Sequence, residues 1–181
     1  MKKLVLLLFV ACVTLSANAQ FYVGGSTVLW YNGDTEMTTF SLLPEVGYVM
    51  NDRWSFGTEI GFEHGSVLVD DFGFATAMKA NSVIVGPYAR FTYFKKGMVG
   101  LFVDGGLDYA FTKIKDGNSN HGVQLGLKPG IALGLNDRLS LVAKFGFVGF
   151  RHDYIPGGEF YSGGGFGFTG NNLSLGFYVS F

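Results

Sequence analysis

The residues of this 181-residue chain that could do chemistry are few: three histidines, one His-x-Ser pair, and acids and bases scattered singly. His64-Gly65-Ser66 has the spacing of a base beside a hydroxyl nucleophile on one face of a strand. Such a pair also needs an acid to orient the imidazole. Asp70 and Asp71 follow, but nothing in the sequence fixes them against His64. His121 and His152 are too far from His64 and from each other to give a metal-ligand spacing. His-x-Ser pairs also arise by chance, so the expectation is no catalysis, no metal and no cofactor. Glu45, Glu59, Glu63, Arg90, Asp104, Asp108, Lys128 and Lys144 offer different chemistry, namely ion pairing or the lining of a polar path.

The elements that carry these residues follow from composition and period. Lys plus Arg is 13 and Asp plus Glu is 14, a net charge of -1, which excludes a nucleic-acid binder working through phosphates. Charged residues make up 15%, against about 25% in ordinary domains, and 48% of the chain is apolar, which excludes disorder. Past residue 20 no apolar run approaches the roughly 18 residues of a spanning helix. Met1 to Gln20 has a basic start at Lys2-Lys3, an apolar stretch from Leu4 to Leu15 and an A-x-A site at Ala17-Asn18-Ala19. Residues 1–19 therefore read as a secretory signal peptide and 20–181 as one exported domain. A lipobox reading of Phe9-Val10-Ala11-Cys12 is weaker, because Phe9 and Val13 are poor matches. Cys12 is the only cysteine, so the exported part has no disulfide.

Period-two alternation recurs through the rest of the chain. It predicts strands near 21–31, 37–50, 53–64, 81–94, 98–112, 121–135, 138–151 and 171–181. Asn51-Asp52-Arg53, Lys95-Lys96-Gly97 and Asn136-Asp137-Arg138 read as tight turns, and 65–80, 113–120 and 152–170 as longer loops. Asn32-Gly33-Asp34 is the exception, a short turn among the long ones. Leu43–Phe62 aligns without gaps to Lys128–Phe147 and shares Pro44/Pro129, the Asn-Asp-Arg turns, Ser55/Ser140, Gly61/Gly146 and Phe62/Phe147. The unit is a strand, a turn and a strand. Pro44, Pro87 and Pro129 fall inside predicted strands at one distance from their turns, and a repeated bulge or bend is expected there.

Alternation also sorts the faces. Trp54, Phe56, Ile60 and Phe62 oppose Ser55, Gly57, Glu59, Gly61 and Glu63. Leu101, Val103, Leu107, Tyr109 and Phe111 oppose Gly100, Phe102, Asp104, Gly106 and Asp108. Leu139, Leu141, Phe145 and Phe147 oppose Ser140, Lys144 and Gly146. The apolar track carries no charge, and all eight acids and bases named above fall on the other. Gly and Ser on the polar track suit a narrow interior filled by side chains better than a solvent face. Aromatics near strand ends (Trp30, Tyr31, Tyr48, Trp54, Tyr93, Phe94, Phe111, Phe150) suit interfacial girdles. The apolar track is therefore expected to face lipid, where a mid-bilayer Lys or Arg would cost about 2–4 kcal/mol.

The chain ends on Ser174-Leu175-Gly176-Phe177-Tyr178-Val179-Ser180-Phe181. Ser174, Gly176, Val179 and terminal Phe181 match the outer-membrane assembly signal. With the leader and the strand layout, the chain resembles the small eight-stranded outer-membrane barrels of the OmpX and OmpA-transmembrane type. The expectation is an all-β, eight-stranded antiparallel up-and-down transmembrane barrel that stops at the eighth strand. The resemblance implies the outer membrane of a Gram-negative bacterium, contact with its lipid and lipopolysaccharide, and insertion by the barrel assembly machinery. It implies no shared activity. The interior charges are expected to form a filling ion-pair network, the protein to be monomeric, and its role to be structural or adhesin-like. Phe72, Phe74, Phe160, Tyr161 and Phe166 are then the loop residues that would touch a host surface or a protein ligand. A narrow porin-like channel for small or hydrophobic molecules is one alternative. A lipid-modifying enzyme using His64 and Ser66 is another, and a soluble barrel with an apolar pocket a third.

Overall fold

From Asn81 to Tyr88 exposed and buried residues alternate without a break, which is what a strand with two unlike faces requires. The computed structural model describes residues 21–32, 37–71, 74–115, 117–156, 162–168 and 173–181. They form ten strand segments: β1 Phe21–Asn32, β2 Met37–Val49, β3 Trp54–Asp71, β4 Phe74–Lys96, β5 Val99–Ile114, β6 Ser119–Gly134, β7 Leu139–Lys144, β8 Phe147–His152, β9 Gly163–Gly167 and β10 Ser174–Ser180. Every pairing among them is antiparallel. β1 to β6 pair in sequence order. β6 then pairs with both β7 and β8, β7 with β10, and β8 with β9. β7 and β8 are thus two halves of the seventh wall strand, and β9 and β10 two halves of the eighth. The sheet closes where β10 meets β1, from Tyr22 opposite Ser180 to Thr27 opposite Leu175. The result is a closed eight-stranded barrel.

The seventh strand departs from simple alternation. Leu127 stands opposite Val148 and Gly130 opposite Lys144, so β7–β8 holds one residue more than β6 over this stretch. The extra residue is absorbed at Phe145-Gly146, where Gly146 takes φ 76°, a region open to glycine. Beyond this bulge the faces exchange. Phe147, expected outward, points inward and is 8% exposed, while Val148 and Phe150 point out.

The three prolines behave alike, though not as a repeated bulge. Pro44, Pro87 and Pro129 pair regularly with Gly25, Thr58 and Val103 on the preceding strand. On the following strand the pairing lapses for two residues at Pro44 and Pro87, with the register unchanged on either side. Only at Pro129 does the neighbouring strand bulge, and there Phe145 N–H bonds the proline carbonyl at 3.0 Å. A missing N–H is tolerated because each proline turns that side toward the lapse.

The longer connections are also more ordered than the sequence suggests. Residues 65–80, expected as a loop, continue β3 and β4, paired from Gly65 opposite Ala80 to Asp71 opposite Phe74. Within 152–170, β9 extends the last hairpin through Gly163–Gly167. The two Asn-Asp-Arg turns share one geometry. Asn51 Oδ1 accepts from Arg53 and Trp54 N–H, both at 2.9 Å, and Asn136 Oδ1 accepts from Arg138 and Leu139 N–H at 2.9 and 2.8 Å.

Candidate functional site

Four inward aromatics set the middle of the barrel, and each lies over a glycine on the strand beside it. Tyr22 stands opposite Gly47, Tyr88 opposite Gly57, Phe102 opposite Gly130 and Tyr178 opposite Gly24. A Cβ on any of these glycines would collide with the ring it faces. This accounts for the glycine-rich polar track, since a small residue on one strand makes the space that a ring on its neighbour fills.

Between the rings lie the charges. Arg90 holds Asp104 in a two-bonded fork, Nε to Oδ1 at 2.6 Å and Nη2 to Oδ2 at 2.7 Å, and stacks over Phe102 at 3.9 Å. Lys144 Nζ lies 2.6 Å from Glu45, 3.5 Å from Asp104 and 3.7 Å from Glu59. Lys128 Nζ bridges Asp108 at 2.7 Å and Glu59 at 3.1 Å. Seven of the eight inward acids and bases named from the sequence therefore join one connected network. Glu63 stands opposite Ser41 and lines the loop-side cavity described below, where it interacts electrostatically with Arg151 and Tyr154.

Hydroxyl groups complete it. Tyr88 and Tyr178 both donate to Glu45 Oε2, at 2.7 and 2.6 Å. Tyr88 has one proton and gives it to Glu45, so the 2.7 Å contact between Tyr22 and Tyr88 hydroxyls has Tyr22 as donor. Arg90 Nη2 donates to Tyr178 Oη at 2.9 Å. Glu45 faces Glu59 directly across β2 and β3, a repulsive placement on its own. Lys144 and the two tyrosines make it tenable. Gln124 Nε2 donates to Asp108, and Arg151 Nε donates to Gln124 Oε1 at 3.0 Å. Sequence reasoning misses Tyr22, Tyr88 and Tyr178, because an aromatic residue suits an outward girdle as well, and misses Arg151, because the bulge reverses its face.

Two cavities lie on either side of this layer. On the tight-turn side a cavity of about 720 Å³ is lined by Ser55, Arg90, Lys95, Phe102, Ser140 and Tyr178, among others. On the loop side a cavity of about 100 Å³ is lined by Ser26, Ser41, Glu59, Glu63, Lys128 and Tyr154, among others. Among the described residues none lines both.

The other candidate residues lie apart. His64 Nδ1 is hydrogen-bonded to Asn81 Oδ1 at 2.8 Å, an amide rather than an acid. His121 Nδ1 shares a 2.5 Å hydrogen bond with Tyr109 Oη, and His152 is 3.7 Å from Asp153. Among the described residues no group of three or more His, Cys, Asp or Glu could hold a metal ion. Of the expected loop contacts, Phe166 is 79% exposed. Phe72, Phe160 and Tyr161 fall outside the described residues, and Phe74 is described by its backbone pairing alone. In the terminal motif, Gly176 packs against the β1 backbone at Gly25 and Phe181 N–H bonds Phe21 O at 2.9 Å, closing the wall.

The outer face is apolar around the whole wall. Phe56, Ile60, Leu107, Leu125, Leu127, Leu175 and Phe177 are exposed, with Tyr48, Trp54, Tyr93 and Phe94 near the tight turns. A closed barrel with this face and a charged interior is similar to two solved structures. A major outer membrane protein from Thermus thermophilus aligns over 91% of this chain and 100% of its own, with 18% identity and a TM-score of 0.57. Neisserial surface protein A aligns over 90% of this chain and 96% of its own, with 13% identity and a TM-score of 0.50. The chain has the fold of the small outer-membrane barrels. No protein-family model matches the sequence, and no curated protein matches it. At these identities the likeness extends to the fold and not to a binding partner or an activity.

Proposed function

We propose that the chain is a monomeric, non-conducting barrel of a Gram-negative outer membrane, with a structural or surface-interaction role and no catalysis. The observation that carries this reading is the division of the interior. Among the described residues the turn-side and loop-side cavities have no lining residue in common, and Glu45, Tyr88 and Asp104, which line neither, lie in the layer between. An eight-stranded barrel is only wide enough to be filled by its side chains. The ion-pair network, together with the rings packed between its members, acts as a lock across the lumen rather than as a path through it.

Location rests on the apolar outer face, the girdle aromatics and the residues 1–19 leader, which delivers residues 20–181 to the envelope. Ser174, Gly176, Val179 and Phe181 are the residues the assembly machinery would read. Outer-membrane lipid and lipopolysaccharide are the partners of the outer face. The loop end, with Phe72, Phe74, Phe160, Tyr161 and Phe166, is where a host surface or a protein ligand would dock. The name of Neisserial surface protein A is in keeping with a surface role.

The test is planar-bilayer conductance of the refolded residues 20–181, with faster gel migration of the unboiled protein as the folding control. A folded, silent barrel is the expected result. Ohmic steps whose size changes on Lys128→Met or Glu59→Gln would replace this reading with that of a narrow channel.

A further inference from the structure

The loop-side cavity contains two groups that the protein leaves unanswered. Ser26 Oγ and Ser41 Oγ are buried, line the cavity and have no hydrogen-bond partner among the described residues. They sit on neighbouring strands, Ser26 on β1 opposite Leu43 and Ser41 on β2 opposite Val28. Two unanswered hydroxyls in one barrel interior are costly, because each has given up its hydration for no bond in return.

The surroundings say what could answer them. Around the hydroxyls are Glu59, Glu63, Lys128 and Lys144, with Gln124 and Arg151 beyond. Lys144 Nζ already faces three carboxylates and Lys128 Nζ two, so an added anion would meet acids on nearly every side. An added cation would meet Lys128, Lys144 and Arg151. A neutral group that both donates and accepts suits a wall of mixed sign. At about 100 Å³ the space is several times the ~10–15 Å³ that one water needs.

A short strap, residues 153–156, lines the cavity on the loop side through Tyr154 and Pro156. After β8 the chain turns inward at Asp153, φ 50°, and inserts Tyr154, 4% exposed, against Ile84 and Ala110. Asn120 Nδ2 donates to Asp153 O at 2.7 Å, and Asp153 N–H donates to Ser162 Oγ at 2.9 Å. Gly122 lies so close to the Asp153 carbonyl that no Cβ fits between them. The strap is thus tied to β6 and to the residue before β9.

We infer that the cavity is a built hydration site: a cluster of ordered water anchored on Ser26 and Ser41, solvating Glu63, Glu59 and Lys128, and held under the Tyr154 strap. The site matters because its waters complete the ion-pair lock from the loop side. The inference concerns the interior only and stands whether or not the loops bind a partner.

Three measurements on the refolded residues 20–181 test it. The first is the unfolding midpoint of Ser26→Ala, Ser41→Ala and the double variant. Hydroxyls answered by water predict a midpoint lowered by a few degrees in each single variant. Midpoints equal to or above that of the parent would mean that the hydroxyls are dry, and would overturn the inference. The second needs no variant. Solid-state NMR in bilayers reads the build-up of magnetisation from water into the side chains. Ser26, Ser41 and Gln124 are expected to receive it early, as surface hydroxyls do. Arrival as late as at outward Leu125 and Leu127 would exclude water from the cavity. Tyr154→Ala distinguishes the strap's part: faster hydrogen exchange at Ser26 and Ser41 amides is expected, and an unchanged rate would remove the strap from the site.

Discussion

Glu59 and Lys144 occupy the same position in the two copies of the repeated hairpin, and they meet in the centre of the barrel with Lys144 Nζ 3.7 Å from Glu59 Oε2. The copies share their turn, their serine and their proline, yet differ in sign at this position, and they also touch through Glu45 with Lys144 and Glu59 with Lys128. Identical residues there would have faced each other as like charges. The ion-pair lock is therefore tied to the repeat, with an acid from one copy answered by a base from the other.

That relationship sets the first prediction. Lys144 is buried and faces Glu45, Glu59 and Asp104. Lys144→Met would leave these acids short of a counter-charge, and removal of one partner of a buried pair costs about 3–5 kcal/mol. Lys128 is a quarter exposed at its side chain, 24%, so water replaces part of what Lys128→Met removes. Urea unfolding followed by gel mobility is expected to rank the losses Lys144→Met above Lys128→Met. The reverse order would show that Lys144 is not the central charge of the lock.

The pairing of rings with glycines gives a second. Gly130→Val would drive two methyl groups into Phe102, which has almost no exposed surface. Overpacking of this kind costs about 1–3 kcal/mol. Phe102→Ala should destabilise through the cavity it opens and the lost stacking of Arg90. Combined, the two changes should cost less than their sum, because the valine fills space the ring vacated. A double-mutant cycle by urea unfolding measures this, and strict additivity would mean that ring and glycine do not share a space.

The wall was legible in the sequence where alternation was uninterrupted. Glu59, Asp104, Asp108 and Lys128 fall inside because each shares parity with the small residues of its strand. The seventh strand shows the limit. Lys144 and Arg151 both face the interior, yet they lie seven positions apart, an odd offset that regular alternation forbids. A one-residue shift is required between them, and Arg151, which ends the predicted strand on the parity of its apolar track, is a charge that the reading of that track as uncharged passed over. The inward tyrosines were illegible for another reason. A tyrosine serves an interface girdle or a buried hydroxyl network equally well, and only the glycine opposite it across the sheet distinguishes the two.

The bulge itself yields the third prediction. Gly146 holds φ 76°, and the space a Cβ would take there is occupied by the Phe168 ring. Gly146→Ala would place a Cβ both in a disfavoured backbone region and in that ring. A loss of about 1 kcal/mol or more is expected from the backbone alone. Gly61→Ala, at the equivalent position of the other copy, meets Leu43 but no backbone strain, since Gly61 keeps strand geometry. Refolding yield and unfolding midpoint should separate them through the flexible leucine, which can move, and the fixed φ, which cannot. Equal losses would show that the bulge stores no special demand for glycine.

The last prediction concerns the layer that separates the two cavities. Tyr22, Tyr88 and Tyr178 are its bulk, and their hydroxyls converge on Glu45 through two direct bonds and one relayed bond. Tyr88→Ala alone leaves Tyr178 on Glu45 and leaves Arg90 stacked on Phe102, so the lumen should stay shut. Truncation of Tyr22, Tyr88 and Tyr178 together would remove three rings and join the turn-side space of about 720 Å³ to the loop-side one. The strap would still line the loop side, because Tyr154 belongs to a separate cluster with Ile84 and Ala110. Conductance is therefore expected only when Tyr154→Ala is added to the triple variant, provided the gel shift confirms folding. A folded triple variant that already conducts would show that the strap is no barrier. A folded quadruple variant that remains silent would show that the charges, and not the rings, close the barrel.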